Sequence, residues 1–141
     1  MNKGLPGCGK STDAEKWRQK NPNGRIIVCR DEIRTMLGVY WMPGKRERLV
    51  TEIEEFTMVE GAKMGYSVTM DATNLRINSP TRFKRLLDEA GVEYEFEIID
   101  FTHVPIEICI KRDAKRELDP CGKGSVGEII IRNMAKSCDY E

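Results

Sequence analysis

Gly4-Leu5-Pro6-Gly7-Cys8-Gly9-Lys10-Ser11-Thr12 fits the pattern G-x-x-x-x-G-K-[ST], and this stretch sets the frame for the rest of the chain. The spacing lets a glycine-rich backbone wrap around the β-phosphate of a nucleotide, with successive N–H groups aimed inward. Lys10 would reach the β- and γ-phosphates as a point charge. Ser11 would place its hydroxyl on Mg²⁺, and the helix that starts there would point its positive end at the phosphates. Residues Gly4, Leu5, Pro6, Gly7, Cys8, Gly9, Lys10, Ser11 and Thr12 are therefore the predicted nucleotide-binding segment, and a nucleoside triphosphate is the predicted ligand. The competing reading is a glycine-rich turn before a helix.

The bulk numbers agree with a globular protein. A chain of 141 residues buries a real core as one domain and is short for two, so residues 1–141 are read as a single unit. Apolar residues make up 40% and charged residues 33%, the ordinary balance for a folded domain. Lysine plus arginine (23) equals aspartate plus glutamate (23), which argues against a general nucleic-acid coat protein but not against a local basic groove. No apolar run approaches a membrane span and no signal-peptide pattern precedes the loop. The five cysteines, Cys8, Cys29, Cys109, Cys121 and Cys138, are never spaced C-x-x-C. Neither a disulfide framework nor a structural zinc site is expected, and a reducing cytoplasm is the predicted location.

Outward from the loop, the pattern alternates strand and helix, which predicts a parallel sheet with helices on both faces: a three-layer α/β fold of the P-loop NTPase type. Folds of this type set the phosphate loop after a buried strand, yet only Met1-Asn2-Lys3 precede it. The first strand is therefore expected to be missing, by truncation. A helix is predicted from Ser11 to about Lys20, ended by Asn21-Pro22-Asn23-Gly24. Ile26 to Cys29 reads as a buried strand, residues 32–37 as a short helix, and residues 39–45 as a loop, with Tyr40 and Trp41 as packing residues. In the long helix from Arg46 to Lys63, Leu49, Ile53, Phe56 and Val59 recur at helical spacing. Ser67 to Met70 is the next strand. Ser79 is the expected N-cap of a helix with Pro80 at its first position, and Tyr94 to Ile99 is a further strand. A helix from Pro105 to about Arg116, a turn-rich stretch from Glu117 to Gly124 and a last helix from near Val126 complete the pattern.

In open parallel sheets, ligands bind outside the carboxyl ends of the strands. Three polar clusters are predicted there: the phosphate loop, Arg30-Asp31 with Arg34 one turn on, and Asp71-Ala72-Thr73-Asn74. Phosphoryl transfer needs a carboxylate to take the proton of the attacking hydroxyl, a coordinated metal, and cations for the charge on the transferred group. Asp31 is the candidate base, or it merely caps the helix that follows. Arg34, three residues on, would share its face and clamp an acceptor phosphate bidentately, or it is a surface arginine. Asp71 stands where a Walker-B carboxylate holds Mg²⁺, or it caps a turn. Asn74 orients substrate or stabilises the same turn. Lys111, Arg112, Lys115 and Arg116 are either a solvated helix face or a lid, around residues 112–125, that carries Arg116 over the triphosphate with Arg112 in support. Cys8 is either a small filler or a thiol sensitised by the loop's N–H dipoles.

Four segments, GLPGCGKST, RDEIR at 30–34, MDATN at 70–74 and KRDAKR at 111–116, agree in order and spacing with a known family. The chain resembles the 5′-hydroxyl polynucleotide kinase domain of bacteriophage type, within the small P-loop kinases. The resemblance implies ATP and Mg²⁺ as cofactors and a 5′-hydroxyl DNA or RNA end as acceptor. It implies that Lys10 and Ser11 bind phosphates and Mg²⁺, that Asp31 activates the hydroxyl, and that Arg34 clamps the acceptor's 3′-phosphate. Asp71 would sit near the metal, and Arg116 would act from the lid. Relatives with both end-repair chemistries carry a phosphatase after the kinase, for which no room is expected here.

Two further functions fit the same residues. A small-molecule hydroxyl kinase would use Asp31 and Arg34 on a sugar, nucleoside or antibiotic. A non-catalytic nucleotide-binding protein would use the loop alone. A strand-tracking run of Arg76, Arg82, Lys84 and Arg85 would favour the polynucleotide, unless these residues are only the wet face of a helix.

Overall fold

The computed structural model describes residues 1–38, 44–118 and 123–138. The elements in chain order are β1 (Asn2–Lys3), α1 (Lys10–Gln19), β2 (Arg25–Cys29), α2 (Arg30–Met36), α3 (Lys45–Lys63), β3 (Ser67–Asp71), α4 (Ser79–Glu89), β4 (Ile99–Asp100), α5 (Ile106–Asp113) and α6 (Glu128–Lys136). The β-branched run of β2 pairs in parallel with β3, from Arg25 opposite Ser67 to Cys29 opposite Asp71. Parallel neighbours need a crossover, which the helices supply. The register has a functional consequence. It ends both strands at one edge, so α2, which starts at Arg30, leaves the sheet beside Asp71.

β1 pairs in parallel with β4, Asn2 opposite Ile99 and Lys3 opposite Asp100. On its other side it lies against the end of β3. There the Asn74 Nδ2 donates to Asn2 O (2.8 Å), and the Gly4 N–H donates to Thr73 O (2.9 Å). The strands thus form two parallel pairs, β2-β3 and β1-β4, with β1 lying against β3 and the phosphate loop following β1. The expected loss of the first strand is corrected here. Asn2–Lys3 form a strand at this place, and Met1 O and Lys3 O accept from Ile99 and Phe101 at 2.9 and 2.8 Å.

Two apolar cores flank the sheet. One gathers Val28, Ile33, Val50, Met58, Met70, Phe83 and Leu87. The other joins Leu5 and Cys8 of the phosphate loop to Cys109, Ile131 and Ala135 of α5 and α6. Leu5 and Cys8 therefore anchor the loop by their side chains and offer a nucleotide only their backbone.

Several boundaries differ from the sequence pattern. The strand predicted over Tyr94 to Ile99 pairs only at Ile99–Asp100, since β1 offers two residues to pair with. α4 is capped by Asn78, so Ser79 and Pro80 both lie within its first turn. α2 starts at Arg30 with Cys29 as its N-cap, so Asp31 is a first-turn residue and not the cap. On α3 the buried positions are Val50, Glu54, Met58 and Gly61, one or two positions on from the predicted stripe. Leu49 and Phe56 are exposed, while Ile53 and Val59 flank the core. The helix is rotated because Glu54 is ion-paired inward. Gly61 also packs flush against the sheet, where an added Cβ would lie 3.2 Å from Ile26 and 3.3 Å from Val68. The loop over 39–45 and its Tyr40 and Trp41 fall mainly outside the described residues, as do 119–122 of the expected lid and Cys121. No helix among the described residues is long and apolar enough to cross a membrane.

Candidate active site

The phosphate loop is wound tightly enough that one position admits only glycine. Gly7 has φ 82°, and a Cβ there would come within 2.3 Å of the Cys109 carbonyl oxygen on α5. The left-handed φ and the close approach of backbone both exclude a side chain. Gly9 then caps α1, which starts at Lys10 with its free N–H groups and positive end toward the loop. Lys10 is 8% exposed. Its Nζ donates to Gly4 O (2.9 Å) and Leu5 O (2.8 Å) and lies 3.5 Å from Cys8 Sγ. The ammonium is thus held inside the curl of the loop, where a phosphate's charge would meet it.

Beside the loop stands Asp71, 5% exposed, with one oxygen, Oδ1, that has no hydrogen-bond partner among the described residues. Burial pushes its carboxyl above the ordinary carboxylate range. A hydrogen bond from Ser11 and the charge of Lys10 pull the other way, and Asp31 pushes in the same direction as burial. A buried carboxylate with an unused oxygen, next to a serine hydroxyl, is a hard-oxygen donor set of the kind Mg²⁺ takes with waters and phosphates. Ser11 and Asp71 therefore fit the metal expected from the sequence.

Asp31 and Arg34 face the loop from α2. Arg34 Nη1 donates to Asp31 Oδ1 at 2.7 Å. Its Nε and Nη2 grip the two oxygens of Glu47 on α3, Nε at 3.1 Å. Arg30 also binds Glu47 Oε1 (2.7 Å). The Arg34 hydrogen bond, with Arg30 adding to it against the opposing effect of burial, holds Glu47 down to a pKa of about 2. A fork-on-fork pair of this kind fixes the guanidinium plane as well as its place.

Pro6, Lys10, Ser11, Asp31, Arg34, Asp71, Thr73, Arg116, Val126, Ile130 and Met134 line one cleft of about 510 Å³. Arg116 also borders the adjoining recess of Ser11, Asp31, Asp71 and Lys123, and the outer face of the loop with Thr12 and Arg112. It is tethered by Asp113, whose Oδ1 is 3.3 Å from its Nη1. Asp113 in turn accepts from Ser125 Oγ (2.7 Å) and the Gly127 N–H (3.0 Å). Burial alone would raise the Asp113 carboxyl, but these donors and Arg116 hold it below the usual range. Asn74 stands back from the cleft. Its residue has φ 47°, and its Nδ2 donates to Asn2 O, Met70 O and Ala72 O.

The structure thus brings Lys10, Ser11, Asp31, Arg34, Asp71 and Arg116 to one cleft, sets Arg112 at its outer rim and leaves Asn74 behind it. Sequence reasoning missed Glu47, Glu54 and Lys123. Lys123 reaches back to Glu32 on α2 at 2.6 Å. The spacing 47, 51, 54 along a helix facing RDEIR was the available signal, with Thr51 Oγ1 also 3.1 Å from Arg30. The basic run on α4 is engaged within the chain. Arg82 pairs with Glu54 and Glu55, Arg85 lies 3.7 Å from Glu89, and Lys84 sits over the Phe96 ring.

The AAA domain profile matches residues 1–139. Among solved structures, a chain of the Pnkp1/Rnl/Hen1 RNA repair complex superposes with a TM-score of 0.80 at 24% identity, over 99% of this chain and 43% of that one. A chain of a further Pnkp1/Rnl/Hen1 complex gives a TM-score of 0.67 at 26% identity, over 86% and 40%. The present chain thus spans less than half the length of either.

Proposed function

Since the chain belongs to the AAA domain family, with the α/β fold of the P-loop kinases, we propose that it is an ATP-dependent kinase transferring the γ-phosphate to the 5′-hydroxyl end of a polynucleotide. The observation that carries this is the single cleft in which Asp31 and Arg34 face Lys10, Ser11 and Asp71, with Arg116 at the junction. Nucleotide binding alone would not require a carboxylate–guanidinium pair opposite the phosphate loop. The structural neighbours from an RNA repair complex favour a nucleic-acid end over other hydroxyls. The unit is read as residues 1–141, with a lid around 112–125.

Each residue then has a chemical task. The loop from Gly4 to Thr12 cradles the phosphates with backbone N–H groups, and Lys10 exchanges its contacts to Gly4 O and Leu5 O for phosphate oxygens. Ser11 and Asp71 would hold Mg²⁺, which when bound neutralises charge on the β- and γ-phosphates. Asp31 accepts the proton of the acceptor hydroxyl as the new P–O bond forms and the bond from the γ-phosphorus to the bridging oxygen breaks, releasing ADP. Arg34 holds the acceptor's phosphate, and Arg116, steered by Asp113, covers the charge on the transferred group with Arg112 in support. Asn74 serves the acceptor side by fixing the turn between β3 and α4.

A second reading, a kinase for a small hydroxyl acceptor, is favoured by one observation. Arg82, Lys84 and Arg85 are engaged with partners of their own, which argues against their tracking a strand along α4. The deciding experiment is transfer of labelled γ-phosphate to a 5′-hydroxyl oligonucleotide, to a nucleoside 3′-phosphate and to a free nucleoside, each beside Asp31→Asn. Transfer to the oligonucleotide that disappears in the variant supports the proposal. Transfer confined to the nucleosides replaces it with the second reading, and ATP hydrolysis with no acceptor labelled rejects both.

A further inference from the structure

Glu54 occupies an unlikely place for a carboxylate. It is 1% exposed and sits in the buried stripe of α3, between Val50 and Met58. A leucine or methionine there would extend the core, and removing a charge from water is costly. What the carboxylate has in return is two guanidinium groups from two other elements. Its Oε2 accepts from Arg30 Nη1 of α2 at 2.7 Å and from Arg82 Nη2 of α4 at 2.6 Å. Arg82 reaches a second carboxylate as well, Glu55 Oε1 at 3.1 Å. Arg30 uses its other nitrogen on Glu47 and Thr51, and Glu47 grips Arg34, which grips Asp31.

The ion pairs therefore form one continuous chain, from α4 through α3 to α2. It joins the element after Asp71 to the element bearing Asp31. Buried pairs add little net stability over an apolar exchange of the same volume, but two forks on one oxygen permit few orientations. From this juxtaposition we infer that Glu54 is a positioning residue: it fixes Arg30, and through Glu47 the Asp31–Arg34 pair, at the acceptor side of the cleft. Glu54 touches no reacting atom. Its kinetic consequence rests on the kinase reading above, whereas its geometric consequence does not.

The test is Glu54→Gln in the full chain, which keeps shape and one acceptor oxygen while removing the charge. Three readouts are taken: the Arg34 Nε–Hε cross-peak in a ¹⁵N spectrum, kcat and KM for a 5′-hydroxyl oligonucleotide, and KM for ATP. Loosening of the chain shifts or broadens the Arg34 signal. It also lowers kcat/KM for the acceptor by about 10²-fold, the cost of a misplacement near 1 Å, while KM for ATP stays within about twofold. If Glu54→Gln does not fold, the apolar pair Glu54→Met with Arg82→Met removes both opposing charges at once and takes its place. An Arg34 signal that does not move overturns the inference, whatever the activity. So does a moved signal with unchanged acceptor kinetics. If the wild type labels no hydroxyl acceptor, the kinase reading falls, and the Arg34 signal alone then decides whether Glu54 positions the pair.

Discussion

Replacing Glu47 by glutamine removes one carboxylate and tests how tightly the acceptor side of the cleft is held. Glu47 is bound by Arg34 through two nitrogens and by Arg30 through one. The carboxyl falls from an ordinary value of 4.5 to about 2. Because this group's folded value is depressed, its contribution is fully present above its unfolded value and fades as pH falls toward the folded one. The shift corresponds to a ceiling of about 3 kcal/mol at neutral pH, falling to about 2 kcal/mol at pH 3.5. Glu47 is 26% exposed, and water and salt screen part of that, so a gap of about 2–3 kcal/mol is expected at pH 7.

Urea unfolding reads the difference directly. With a slope of about 1.5–2 kcal/mol/M for a domain of this size, the Glu47→Gln midpoint should fall by about 1–2 M at pH 7. The two proteins should converge by about a third of that gap at pH 3.5. A variant whose midpoint stays within about 0.3 M of the wild type at pH 7 would refute the reasoning, since the pairs would then be solvated and interchangeable. A gap that is large but constant between pH 7 and pH 3.5 would refute it differently, by showing that packing and not charge carries the effect.

Asp71→Asn should raise the melting temperature at pH 7 without ligand, because a buried acid whose folded pKa is raised loses stability as pH climbs past its ordinary value. The same variant should lose most of the additional stabilisation by Mg-ATP, read by melting with and without the metal. Gly7→Ala should cost at least about 2 kcal/mol by denaturant titration, because it combines a left-handed φ with a clash against the Cys109 carbonyl; an unchanged midpoint would show that the loop and α5 separate easily. Asp113→Ala leaves the Ser125 hydroxyl and the Gly127 N–H without their acceptor. It should cost about 1–3 kcal/mol and raise hydrogen exchange in the first turn of α6, whereas exchange unchanged there would mean that Asp113 serves Arg116 alone.

What the sequence made legible and what it hid divide along a physical line. The phosphate loop could be read because its chemistry is local. Glycines, a lysine and a serine at fixed spacing act within nine residues, and no tertiary contact is needed to see their purpose. Asp31 and Asp71 could be placed because one follows and the other ends an apolar run, and the parallel register sets Cys29, just before Arg30-Asp31, opposite Asp71. The first strand was misjudged for the opposite reason. Only three residues, Met1-Asn2-Lys3, precede the loop, and their pairing is supplied by neighbours distant in sequence, Ile99, Phe101 and Asn74. Local preference gives way when tertiary partners supply the hydrogen bonds.

Helix α3 shows the limit most sharply. Counting apolar residues gives the stripe Leu49, Ile53, Phe56 and Val59, and that count assumes that a charged residue faces water. Glu54 breaks the assumption, because Arg30 and Arg82 neutralise it from α2 and α4. The true buried face is shifted by one or two positions to bring it inward, at the cost of leaving Phe56 outside. A helix that exposes a phenylalanine in order to bury a glutamate is not minimising apolar exposure alone. The glutamate lies one ion pair from Arg30 and two more from Arg34. The departure from the hydrophobic pattern therefore leads toward the cleft, which is where a fold is expected to depart from its own local rules.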